Sequence, residues 1–227
     1  MNIKKVLFLD DGNITQTITR IRDKVKRLGF DICADIINPQ DPKYKSEIGG
    51  VIEIDFNKIK KDVKDNYKNN RYEVVACDFS FASTKLNGYE LIRWIINESK
   101  SSNFLFKKAK FICYSSEENK FKEHIIGNDE LTKLIKLNIY AFYKRDNLVN
   151  DMSALLKKIN SEFSMSEHLA SMLEDESQRV FNNVYPPLKG KSFNEIALEI
   201  KKDSHHGQKF QQHLSELVYA HIIDLNP

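Results

Sequence analysis

Five strand-length runs mark the first two thirds of the chain. Val6-Leu7-Phe8-Leu9 closes on Asp10 and Asp11. A second run covers residues 30–37. Val74-Val75-Ala76-Cys77 closes on Asp78, Phe111-Ile112-Cys113-Tyr114 on Ser115, and Ile139-Tyr140-Ala141-Phe142-Tyr143 on Lys144. Continuous apolar runs of this length read as strands buried on both faces, as in a parallel sheet. Between them the period changes to that of helices. Ile14, Ile18, Ile21, Val25 and Leu28 are spaced 4, 3, 4 and 3, with Asn13 as the N-cap and Gly29 as the stop. Phe56, Ile59, Val63 and Tyr67 mark a second helix. Leu91, Ile92, Ile95 and Ile96 mark a third after Gly88. Leu148, Met152, Leu155, Leu156 and Ile159 mark another, and residues 118–137 read as a helix interrupted near Gly127.

Strands alternating with helices predict a doubly wound, flavodoxin-like α/β domain. Its five parallel strands run in the order 2-1-3-4-5, joined by right-handed crossovers. An insertion at residues 38–55 carries Pro39, Pro42, Gly49 and Gly50, with a short extra strand at residues 51–54. Strand signals stop after Ile159. Ser164-Met165-Ser166-Glu167 fits a capping box opening a helix, which Pro186-Pro187 closes near Tyr185. Residues 193–202 and 208–225 read as two more helices. The expected division is therefore 1–162, an α/β domain, and 163–227, a small all-helical region.

Charge sharpens that division. The whole chain carries a net +3, but residues 161–227 hold six Lys/Arg against ten Asp/Glu, a net of −4. The first 160 hold 29 against 22, a net of +7. This asymmetry, with no Gly- or Pro-rich spacer, predicts a tail that docks on a protein surface, its own or a second copy's, through residues such as Leu173, Phe181, Phe210, Leu217 and Ile222. The chain is 41% hydrophobic and 30% charged, and no apolar run reaches the ~18 residues of a membrane span. Met1-Asn2-Ile3-Lys4-Lys5 leads straight into a strand and does not read as a signal peptide. Cys33, Cys77 and Cys113 have no paired spacing and read as reduced core residues, so a cytoplasmic protein is expected.

In an open parallel sheet, ligands bind beyond the carboxyl ends of the strands. Two adjacent acids, one acid, one hydroxyl and one lysine arrive there in chain order. This resembles the receiver domain of two-component response regulators over about residues 4–160. Leu7-Phe8-Leu9-Asp10-Asp11 resembles the family's acidic pair, and Val75-Ala76-Cys77-Asp78 its phospho-accepting aspartate. Asn87-Gly88-Tyr89-Glu90-Leu91-Ile92 looks like the entry to the following helix, Cys113-Tyr114-Ser115-Ser116 the conserved hydroxyl, and Phe142-Tyr143-Lys144 the conserved lysine. The resemblance implies Mg²⁺ held by Asp11 and Asp78, with Asp10 acting through a bound water and the Ser80 carbonyl as a further ligand. It implies a phosphoryl group received on Asp78 from a histidine kinase or phosphotransfer protein, Lys144 pairing with the carboxylate or phosphoryl oxygen, and Ser115 bonding the phosphoryl group. Such chemistry is mostly positioning and charge neutralisation, and its product biases a bistable element. The protein is then a signalling module, not an enzyme.

The chain also departs from that pattern. Residues 78 and 88 are ten apart, longer than usual for the family. Arg145 stands where the family has a proline, and Ala141 where it has an aromatic switch. Two alternatives follow. One is a DNA-binding regulator, since residues 192–197 and 208–225 faintly resemble a helix-turn-helix, although the net acidic tail disfavours it. The other is a degenerate receiver that serves as an unphosphorylated scaffold. Asp10-Asp11-Gly12 also faintly resembles the opening of haloacid-dehalogenase phosphatases, but the acids are adjacent where that chemistry needs them one residue apart.

Overall fold

The computed structural model describes residues 2–48, 50–83, 86–102, 104–116, 123, 131–182 and 185–226. The chain divides into two compact units, Met1–Glu162 and Phe163–Pro227.

In the first unit, β1 (Asn2–Leu9), β2 (Phe30–Ile37), β5 (Val74–Asp78), β6 (Lys110–Ser115) and β7 (Ala141–Lys144) form one parallel sheet. Its order is β2-β1-β5-β6-β7. With the inserted hairpin left out of the count, this is the 2-1-3-4-5 order expected from the sequence. The hairpin consists of β3 (Lys45–Ile48) and β4 (Val51–Ile54), paired antiparallel. Gly50 in its turn has φ +81°, which a side chain would strain. β4 is the extra strand anticipated above. β3 is its unforeseen partner, because Lys-Ser-Glu-Ile lacks an apolar run.

Both faces of the sheet are covered. On one, Val6, Phe8, Val74, Ala76, Ile112 and Tyr114 meet α1 (Thr15–Lys26) and α5 (Leu148–Ser161). On the other, Leu7, Leu9, Val75, Cys77 and Cys113 meet α2 (Phe56–Asp62) and α3 (Gly88–Ser101). This two-sided burial is why the central strands read as unbroken apolar runs. The Asn13 carboxamide oxygen accepts from the Thr15 N–H at 3.1 Å, and Gly29, φ +89°, ends the α1 turn. α4 (Leu131–Leu137) is the described part of the 118–137 segment; the break near Gly127 lies outside the described residues.

Two expectations need correction. Cys33 is exposed rather than in the core, because β2 is an edge strand and turns that face to water. Cys77 and Cys113 are buried, and burial pushes their thiols up, Cys113 to about 12. The helix expected to run to Tyr185 also stops early. α6 spans Met165–Asp175, the Ser164 hydroxyl accepting from the Glu167 N–H at 3.3 Å. The chain then turns, and Val180 bridges to Ser192.

The second unit continues with α7 (Phe193–Lys201), opened by a Ser192–Glu195 capping box, and α8 (His205–Leu225). Asp203, with φ +51°, lies in the short turn between them. Gly207 allows α8 to cross close to α7, since a Cβ there would lie 2.4 Å from the Glu199 carbonyl oxygen. Ala170, Leu188, Ile196, Ala197, Ile200 and Phe210 form the core of this unit. Leu217 and Ile222 stand 44% and 50% exposed on α8. Among the described residues, no helix is long and apolar enough to cross a membrane.

Candidate functional site

The carboxyl edge of β1 and β5 is acidic because each apolar run stops at a carboxylate. The Asp10 N–H donates to the Ile37 carbonyl at 3.1 Å, so the chain is still tied to the sheet at that residue. Asp78 is the last residue of β5, and the Phe79 N–H donates to the Tyr114 carbonyl at 2.8 Å. Strand pairing therefore fixes where the two carboxylates start. Asp11 follows Asp10 and is half-buried, while Asp10 and Asp78 are buried. One carboxylate oxygen from each of Asp10, Asp11 and Asp78 lies within 4.8 Å of the others.

Backbone donors hold this group in place. The Gly12 N–H donates to Asp10 Oδ1 at 2.8 Å, the Ser80 N–H to Asp78 Oδ1 at 3.1 Å, and the Ala82 N–H to Asp11 Oδ2 at 2.5 Å. The Ala82 carbonyl accepts from Gln40 Nε2 at 2.8 Å, which ties the insertion to the loop after β5. That loop closes on Gly88, whose N–H donates to the Phe79 carbonyl at 2.8 Å. A Cβ at Gly88 would fall 1.6 Å from the Asp78 carbonyl oxygen, so only glycine lets α3 start against the end of β5.

Two residues that sequence reasoning did not place in the site complete it. Arg145 bonds Asp78 Oδ2 through Nη1, and its Nη2 lies 3.0 Å from Asp10 Oδ2 and 3.2 Å from Asp10 Oδ1. The Tyr114 hydroxyl donates to Asp10 Oδ2 at 2.6 Å, and the guanidinium carbon sits 5.7 Å from the Tyr114 ring centre. Arg145 was visible only as a departure from the receiver pattern. Tyr114 was visible only as the end of an apolar run. Ser115 and Lys144 are the last residues of β6 and β7 and pair in register, Ser115 buried and Lys144 exposed. Register pairs Asp78 with Tyr114. Strand alternation therefore sets Ser115 and Lys144 on the opposite pleat face from Asp78 and Tyr114.

Burial pushes the Asp78 carboxyl up to about 6. The Ser80 N–H and the Arg145 charge pull it back, and Asp10 and Asp11 add to the rise. Burial likewise drives the Tyr114 phenol well above its ordinary value, reinforced by Asp10, so it stays a hydrogen-bond donor. Burial opposes the Arg145 charge, but Asp10 and Asp78 outweigh it and its pKa is raised. The arrangement is two buried carboxylates and one half-buried one facing a partly exposed guanidinium. Hard oxygen ligands of this kind suit an octahedral divalent ion such as Mg²⁺.

No family model matches the chain, and no curated protein matches it. Solved structures similar to it include the Mn²⁺-bound form of response regulator Rcp1 (11% identity, TM-score 0.41, covering 70% of this chain and 92% of that one). The chemotaxis response regulator CheY4 of Vibrio cholerae is 11% identical, with TM-score 0.39 and coverage of 70% and 99%. A CheY-like response regulator receiver domain from Methylobacillus flagellatus is 14% identical, with TM-score 0.37 and coverage of 70% and 99%. The sheet order β2-β1-β5-β6-β7 defines the fold. By that order the first unit is a flavodoxin-like, doubly wound α/β domain, and the solved structures similar to the chain include response-regulator receivers, the family its sequence resembles.

Proposed function

We propose that this chain is a receiver-type signalling protein that accepts a phosphoryl group on Asp78 from a histidine kinase or phosphotransfer protein. The observation that carries this reading is the convergence of Asp10, Asp11 and Asp78 within 4.8 Å at the carboxyl edge of a parallel sheet. At neutral pH a carboxyl held near 6 is mostly ionised and carries the electron pair that attacks phosphorus. One Asp78 oxygen forms the O–P bond as the N–P bond of a phosphohistidine breaks. The departing imidazole keeps the electron pair and takes a proton from water.

Asp11 and Asp78 would hold Mg²⁺, with Asp10 behind a bound water and the Ser80 carbonyl as a further ligand. When bound, the ion supplies charge neutralisation between donor and carboxylates. Ser115 and Lys144 leave β6 and β7 on the opposite pleat face from Asp78, so to bond the phosphoryl oxygens once formed both side chains would have to turn over the carboxyl edge of the sheet. Residues 163–227 would carry the consequence to a protein partner or to a second copy of the chain. Incubation with a small phosphodonor and Mg²⁺ tests this. Intact mass should show one acid-labile phosphoryl group on the wild type and none on Asp78→Asn or when the metal is chelated. Equal labelling of Asp78→Asn would place the chemistry elsewhere.

One observation favours a second reading. Arg145 already bonds Asp78 and Asp10, as a fixed cation would in a degenerate receiver that acts as an unphosphorylated scaffold. Absence of labelling in both proteins would support it.

A further inference from the structure

The hydrogen bonds around Asp10 leave it little to offer an incoming ion. A carboxylate has about four acceptor positions. Asp10 Oδ1 accepts from the Gly12 N–H and Arg145 Nη2, and Asp10 Oδ2 accepts from the Tyr114 hydroxyl and the same Nη2. Asp78 is divided between the Ser80 N–H on Oδ1 and Arg145 Nη1 on Oδ2. The guanidinium thus spans the two buried carboxylates, with the Gly12 backbone packed beside it. A Cβ at Gly12 would lie 3.2 Å from Asp10 Oδ1 and 3.4 Å from Arg145 Nη2.

We propose that Arg145 is the resident cation of this site, competing with a divalent ion for the oxygens of Asp10 and Asp78 and shielding Asp78 Oδ2 until it is displaced. This rests on the receiver reading of the site and adds a regulation to it. The site is neutralised in two alternative ways, by the chain's own guanidinium or by a captured metal. A planar, forked guanidinium can bridge two carboxylates, whereas an ammonium is a single point charge. Exchange of the two cations is therefore the step that makes Asp78 available. Metal affinity in this protein is set by how firmly Arg145 holds on, as well as by the acids themselves.

Titration calorimetry of the full chain with Mn²⁺ and Mg²⁺ tests the competition. Arg145→Ala should bind metal at least ten-fold more tightly than the wild type, and adding Asp78→Asn to it should abolish the gain. Arg145→Lys distinguishes direct competition from simple charge, because it keeps the positive charge but cannot bridge both carboxylates. It should also tighten binding several-fold, and it serves alone if Arg145→Ala does not fold. Affinity in Arg145→Lys equal to the wild type would overturn the proposal. So would affinity in Arg145→Ala equal to or below the wild type, or no binding by any variant. Phosphoryl uptake is measured separately. Tighter metal binding without labelling would sink the acceptor reading and leave the competition standing.

Discussion

Asp78 carries its side chain almost wholly out of water, and that fixes the sign of its effect on stability. Its folded pKa, about 6, lies above the ordinary 3.8. Between those values the native state holds a proton that the unfolded chain has released. The stability contribution is therefore present below pH ~4 and is lost as pH rises through ~6. At 1.36 kcal/mol per pKa unit the loss is at most about 3 kcal/mol. Asp55, Asp62 and Glu98, whose pKa values are lowered, act the other way, so the effect is read as a difference: in urea unfolding in metal-free buffer, wild-type stability measured relative to Asp78→Asn should decline between pH ~4 and ~6. A difference that stays flat or grows with pH over that window would contradict it. The three acids were legible in the sequence because two apolar runs close on them, one on Asp10 and Asp11 and the other on Asp78. Arg145 and Tyr114 were not, because their roles arise only when the ends of β1, β5, β6 and β7 are brought side by side. An arginine after a lysine and a tyrosine after a cysteine have no spacing that reveals this.

Among the elements, the strands and the helices flanking them were legible because their apolar spacing follows the period of one structure. Gly88 shows what pattern alone could not supply. Asn87 caps α3 by accepting from the Glu90 N–H at 2.8 Å, and the next residue must be glycine because the helix starts against the Asp78 carbonyl. Gly88→Ala should push α3 away from β5 and cost roughly 3 kcal/mol, in the upper range for overpacking. Thermal unfolding would record this, with metal binding weakened together with stability. An Ala variant as stable as the wild type would refute the close approach. The elements misread from sequence have local causes. β3 exists because its hairpin partner lies two residues away, and pairing with β4 rather than an apolar run defines it, Glu47 being exposed and Lys45 and Ser46 half-buried. The α6 helix ends at Asp175 because residues 176–182 turn to meet the strand-like bridge at Ser192, a long-range pairing. Cys33 is exposed because a strand pattern does not say which strand lies at the edge.

For the whole molecule, the change in character after Ile159 was legible from the loss of strand signals and the reversal of charge. The order of the sheet followed from crossover rules. The inner packing of the second unit was less legible. Its core is six residues drawn from three helices and a turn, with Phe210 edge-on to Phe181 at 5.4 Å between ring centres. Because each unit has its own core, Phe210→Ala should destabilise the second unit by about 3–5 kcal/mol. Phosphodonor labelling in the first unit should be unchanged. Hydrogen exchange resolved by peptide would show loss of protection confined to residues 163–227. Equal loss across the central sheet would contradict the independence of the two cores.

The most direct measurement locates the phosphoryl group itself. The chain would be treated with a small phosphodonor and Mg²⁺, reduced with borohydride, and digested for peptide mass analysis. An acyl phosphate on a carboxylate is reduced to an alcohol, so homoserine is expected at position 78 and at no other acid. Reduction at another aspartate, or intact Asp78 in a protein that has demonstrably taken up phosphate, would contradict it.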